Sequence, residues 1–125
     1  GYSFADQHLN EVIMNGLRSN PTAMCFGLMY GPRSQYKEGM SCASRQPNLS
    51  LLSEDGAVLG TLDEDWLETN ESDHPLNTHC VSFEPNSNAE HSPKNKFLLG
   101  DFKKFGDFLA YQINQRDDHA GSNAP

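Results

Sequence analysis

The side chains of this chain that could do chemistry are few and dispersed. Its soft and nucleophilic groups are three cysteines, Cys25, Cys42 and Cys80, and five histidines. His74, His79 and Cys80 lie close enough in sequence to share a zinc ion, but their spacing matches no recurrent finger or HExxH pattern. A fourth ligand would have to come from Cys25, Cys42 or a distant acid. We read them as a loop histidine followed by strand residues and expect no metal. A nucleophilic cysteine served by a histidine and an orienting Asn or Asp is the enzymatic arrangement this composition permits. Each thiol has a plainer reading. Met24-Cys25-Phe26 resembles packed core, Cys80 lies opposite Val81 and Phe83 in an alternating segment, and Cys42 sits between Ser41 and Ala43 in a loop. A disulfide between Cys42 and Cys80 is the pairing we expect, and in the chain-entropy model it would add about 3–4 kcal/mol. Cys25 with Cys42 comes next, since sequence does not choose among the three connectivities.

Other recurrent chemistries lack their residues. No glycine-rich phosphate loop and no nucleophile-elbow serine occur. Carboxylates are plentiful but crowd one water-accessible stretch, whereas acid–base catalysis needs two environments that push pKa values apart. Asp63-Glu64-Asp65-Trp66-Leu67-Glu68 lacks the alternating carboxylates and turn glycine of a calcium loop. We therefore expect no catalytic residue, no metal and no cofactor.

The feature that stands out is a stretch of one sign of charge. From Arg45 to Lys94 there is no intervening lysine or arginine, yet Glu54, Asp55, Asp63, Glu64, Asp65, Glu68, Glu71, Asp73, Glu84 and Glu90 fall there, with the lone Trp66 among them. Outside it nine basic residues face seven acids, so the net charge of −8 is regional. Charge runs are usually solvated faces. The sharper reading is an interface for a basic protein, with acids to steer association and Trp66 as a desolvated anchor. Its residues would be Glu54, Asp55, Asp63, Glu64, Asp65, Trp66, Glu68, Glu71 and Asp73.

At 125 residues the chain has the size of one domain. Its 36% hydrophobic content is low, but seven Phe, four Tyr and one Trp supply core material that disordered chains lack. A pI near 4.9 argues against nucleic acid, whose affinity comes from clustered Lys and Arg, and against anionic membrane surfaces. No apolar run approaches the ~18–20 residues of a membrane span, and no leader with a small-residue cleavage site is seen, so no membrane insertion is expected. Gly1 reads as the scar of a removed tag, which leaves room for an anchor upstream. The sequons at Asn48 and Asn70 decide nothing alone.

The elements that would position these residues follow from periodicity. Ser3 as cap and Leu9, Val12, Ile13, Gly16 and Leu17 on one face predict a first helix ending at Asn20-Pro21. Residues 23–30 predict a largely buried strand, and residues 31–47 a polar loop with at most an irregular edge strand. Leu49 to Glu54 and Ala57 to Leu62 predict a hairpin turning at Asp55-Gly56. We expect one helical turn around Trp66-Leu67, a strand over residues 78–84 closed by Pro85, and a helix opening at Ser92-Pro93. That last helix carries Leu98, Phe102, Phe105, Leu109 and Ile113, with Gly100-Asp101 as an alternative start. The sum is an α+β domain over residues 1–114, in which N- and C-terminal helices pack on a mostly antiparallel sheet of about three to five strands. Residues 115–125 are expected to form a flexible tail.

These readings converge on a small, acidic, non-enzymatic binding module of inhibitor or immunity type that recognises a basic protein partner. Two alternatives are an extracytoplasmic portion of a sensor or pilin-like surface assembly, and a small Cys/His hydrolase. The expected disulfide places the protein in the periplasm or outside the cell.

Overall fold

A computed structural model of the chain describes residues 1–66, 79–83 and 95–120. It is an α+β domain with a four-stranded, mostly antiparallel sheet, a second sheet of two strands, and helices toward both termini.

Helix α1 spans Gln7–Ser19 and is capped by Asp6, not by Ser3, with the Asp6 carboxylate accepting from the Leu9 amide at 3.0 Å. The start is displaced because Phe4 turns the chain. Its φ is 60°, its side chain is buried in the core, and its carbonyl accepts from Asn10 Nδ2 at 2.9 Å. The inward face is also rotated by about one residue from the expected one. Asn10, Met14 and Leu17 are buried with Ile13 beside them, while Leu9 and Val12 are exposed.

Strand β1 (Cys25–Leu28) leads to a 3₁₀ turn (Arg33–Gln35) and helix α2 (Lys37–Ala43). The expected polar loop is therefore corrected. Gly39, Met40 and Ala43 recur at helical spacing and are buried with Cys42, a pattern disguised by the Lys, Glu and Ser around them. Gly39 lets Phe4 close over the helix, since a Cβ there would lie 3.1 Å from Phe4 Cβ. Because α2 carries the chain back, β2 (Leu49–Ser53) runs parallel to β1. Asn48 fastens this crossing by donating from Nδ2 to the carbonyls of Leu17 at 3.1 Å, Asn20 at 3.3 Å and Ala23 at 2.8 Å.

Strands β3 (Gly56–Leu59) and β4 (Leu62–Asp65) complete the sheet in the order β1-β2-β3-β4. A hairpin is present at residues 49–59, but Ser53 pairs with Gly56, so its turn is Glu54-Asp55 rather than Asp55-Gly56. The turn with positive φ at both central residues comes next, at Gly60 (55°) and Thr61 (76°), where Leu59 pairs with Leu62. It splits the second expected run into two strands. Trp66 follows a strand rather than a helical turn, and Leu67 lies outside the described residues.

Alternation across the registers puts Cys25, Gly27, Leu49, Leu51, Ser53, Gly56, Val58, Asp63 and Asp65 on one face. Leu49, Leu51 and Val58 are wholly buried there, under Phe4, Met14, Leu17 and Met40. Phe26, Leu59 and Leu62 on the other face are exposed, so β1 is less buried than its composition suggested.

In the smaller sheet β5 (Val81–Phe83) pairs antiparallel with β6 (Asn95–Phe97). The strand expected over 78–84 is trimmed at its start, where His79 and Cys80 are helical, and Pro85 lies outside the described residues. Ser92-Pro93 also lies outside them, and Asn95–Phe97 is strand, so the last helix, α3 (Phe102–Ala120), takes the later start. Asp101 caps it by accepting from the Lys103 amide at 2.9 Å and the Lys104 amide at 3.3 Å. Among the described residues no helix is long and apolar enough to cross a membrane.

Gly100 explains this change. A Cβ there would sit 2.0 Å from the Met29 carbonyl oxygen, so only glycine lets the turn before α3 touch the end of β1. The obstacle is backbone and cannot swing aside. Gly100→Ala should therefore lower stability by about 1–3 kcal/mol, read as an earlier midpoint in urea, whereas Gly106→Ala, with open space around it, should be neutral or stabilising.

Candidate interaction site

The centre of the acidic stretch is organised by one cation from outside it. Arg33 follows Gly31-Pro32 at the start of the 3₁₀ turn, and its guanidinium lies over the face that carries Asp63 and Asp65. Two acids separated by one residue in a strand point the same way. Arg33 Nη1 donates to Asp63 Oδ1 and Nη2 to Asp65 Oδ1, while Nε approaches Asp55 Oδ1 at 3.4 Å. The Arg33 amide also donates to Asp55 Oδ1, at 2.9 Å. Gly56 makes room, because a Cβ there would lie 2.6 Å from Arg33 Cζ and 2.4 Å from the Glu64 carbonyl oxygen.

The electrostatics are lopsided. Only 16% of the Arg33 side chain is exposed, against 46% for Asp55, 51% for Asp63 and 85% for Asp65. Partial burial works against the Arg33 charge, but hydrogen bonds to Asp65 and Asp63 and the field of Asp55 outweigh it and hold its pKa above the ordinary range. Three carboxylates around one guanidinium, Asp55 from the β2–β3 turn and Asp63 and Asp65 from β4, leave two negative charges at this corner, and all four residues of β4 are exposed.

The remaining expected site residues divide. Glu64 is exposed and alternates to the opposite face of β4. Glu54 pairs with Lys96 at 3.1 Å. Trp66 is half-buried. Its indole N–H donates to the Ser53 carbonyl at 2.8 Å and its ring lies 5.7 Å from that of Phe97, so it ties β4 to β2 and β6. Glu68, Glu71 and Asp73 lie outside the described residues. Arg33 was the residue missed in the sequence, where it fell within the expected polar loop of residues 31–47. The signal available was the Asp63/Asp65 alternation, which calls for a counter-charge once residues 62–65 are taken as strand.

Cys25, Cys42 and Cys80 are free thiols in this structure, so the expected Cys42–Cys80 bridge is not among its bonds. Cys42 is buried in α2, and burial pushes the Cys80 thiol up from its ordinary pKa, away from the thiolate a nucleophile needs. The His79 ring stacks on Tyr111 at 4.5 Å. Among the described residues no group of three His, Cys, Asp or Glu is gathered to hold a metal. A cleft of about 320 Å³ lies between the end of β1 and the start of α3, where Glu54 and Asp101 meet Lys96 and Lys104. Its charges balance one another. No protein-family model matches this chain, and no curated protein matches it.

Because the carboxylates differ in exposure, their removal should differ in effect. Arg33→Gln leaves three acids facing one another and should cost about 2 kcal/mol, the range for hydrogen bonds to charged groups. Asp65→Asn touches the most exposed partner and should cost less than about 1 kcal/mol. Chemical denaturation of both variants in one buffer checks the order.

Proposed function

We propose that this protein is a non-enzymatic binding module, of inhibitor or immunity type, whose acidic centre docks on a basic protein. The observation that carries the reading is the β4 strand, an exposed edge bearing Asp63, Glu64 and Asp65 in succession and braced from behind by Arg33. Fixed carboxylates lose less conformational freedom on binding than carboxylates on a loop, so more of their attraction appears as affinity. Asp55, Asp63 and Asp65 present one set of charges, Glu64 flanks them on the opposite face, and Glu54 borders them through its pair with Lys96. Trp66 serves by holding the strand in place. Glu68, Glu71 and Asp73 extend the same run of charge in sequence.

Such a site associates by long-range attraction and is sensitive to ionic strength, because the Debye length is about 10 Å at 0.1 M salt. The experiment is capture from native extract on the immobilised domain at low and moderate salt, beside an Asp63→Asn/Glu64→Gln/Asp65→Asn variant. Wild type should recover a basic protein that the variant does not, with an association rate that falls at least tenfold as salt is raised. Equal recovery by both forms would sink the reading.

A periplasmic or secreted location is the setting we propose with it, and it requires that Cys42 and Cys80, free thiols in this structure, be joined in the native protein. A thiol titration of protein from its native source should find one reactive group after unfolding, and three would overturn that location.

A further inference from the structure

The two outer strands of the main sheet are finished differently. An unpaired strand edge is a template for another strand, and proteins blunt such edges with charge. β4 carries three acids, whereas β1 carries none, and the chain has no charged side chain between Arg18 and Arg33.

The bonds of β1 define what its outer edge offers. The Cys25 amide donates to the Asn48 carbonyl and the Met29 amide to the Leu52 carbonyl, both at 2.8 Å and both toward β2. Peptide groups alternate along a strand, so Gly27 also faces β2, and the N–H and C=O groups of Phe26 and Leu28 point outward. Among the described residues no strand pairs with that edge. The side chains along it are apolar and in water, with Met24 63%, Phe26 59% and Tyr30 69% exposed.

We propose that β1 is the strand through which two copies of this chain pair, antiparallel about a twofold axis at Gly27. In that register Phe26 faces Leu28 of the partner subunit, both outward-pointing residues meet outward-pointing residues, and about four main-chain hydrogen bonds form. The same arrangement places an aromatic ring against an aliphatic side chain on each side of the axis, a favourable cross-strand pair.

Charge selects a second copy as the occupant. A basic partner is drawn to β4, and an uncharged strand is complemented by another uncharged strand. Two molecules of net charge −8 repel unless their acids are kept apart. Since β1 and β4 are the opposite ends of the sheet, joining β1 to β1 gives eight strands with the acidic ones outermost. At about 4.8 Å per strand these lie roughly 34 Å apart, beyond the ~10 Å Debye length at 0.1 M salt.

The test is sedimentation of the intact domain over a wide concentration range, together with hydrogen exchange at Phe26 and Leu28. A dimer should appear as concentration rises and strengthen with added salt, the opposite of the salt response proposed for the acidic site, so the two readings fail separately. Both amides should slow at least tenfold between dilute and concentrated samples. Phe26→Lys should weaken the dimer at least tenfold with an unchanged far-ultraviolet spectrum. A monomer at every concentration, a dimer indifferent to Phe26→Lys, or fast exchange at both amides in a dimer would overturn the proposal. The exchange measurement uses wild-type protein and holds even if the variant fails to fold. Protection of these amides by a different protein in the absence of dimer would equally assign the edge to another occupant.

Discussion

The contact on which the rest depends is the guanidinium of Arg33 laid across the mouth of the β3–β4 pair. It ties the 3₁₀ turn, which precedes α2, to the turn residue Asp55 and to Asp63 and Asp65 of β4. Without a cation there, Asp63, Asp65 and Asp55 would face one another with only water to offset their mutual repulsion. Gly56 belongs to this device rather than to the hairpin turn. A side chain at that position would displace either the guanidinium or the backbone of the paired strand.

Part of this was legible in the sequence and part was not, for reasons that can be named. Apolar runs bounded by Gly and Pro located β1, β2 and β3, because burial on the helix-covered face demands Leu49, Leu51 and Val58 whatever the loops do. The number of helices near the termini and the α+β class followed from the same patterning. Boundaries failed where a tertiary contact outranked local preference. Asp-Gly is a good turn pair, but Gly56 was required inside a strand by Arg33, and the turn moved back to Glu54-Asp55. Gly100 was required by the Met29 carbonyl, and helix α3 began after it. Residues 37–43 were missed because a seven-residue helix shows only one turn of its buried face, too short for its period to stand out against polar neighbours.

The candidate site was legible as composition but not as geometry. Counting acids found Asp55, Asp63, Glu64 and Asp65, while only the strand's alternation shows that Asp63 and Asp65 share a cation and Glu64 does not. Trp66 illustrates the limit. Rarity and acidic neighbours suggested an anchor desolvated by a partner, with a core position as the other reading; its N–H donates to the Ser53 carbonyl and its ring lies against Phe97. The Asn48 sequon is a parallel case. Its amide nitrogen is engaged with three carbonyls, which gives that asparagine a structural reason to be present.

The exposed edges follow from how this domain distributes its charge. An acidic strand is tolerable at β4 because its four residues face water and one half-buried arginine offsets Asp63 and Asp65. The same acids at β1 would have had to share a face with Cys25 and Gly27, against which Leu51 packs so closely that a Cβ on Gly27 would lie 2.5 Å from its Cδ2. On that inward face β1 is thereby confined to small and apolar residues, while its outward face at Phe26 stays open to water. The polarity of the sheet, acidic at one edge and uncharged at the other, thus matches the position of Arg33, whose guanidinium reaches β4 over Gly56.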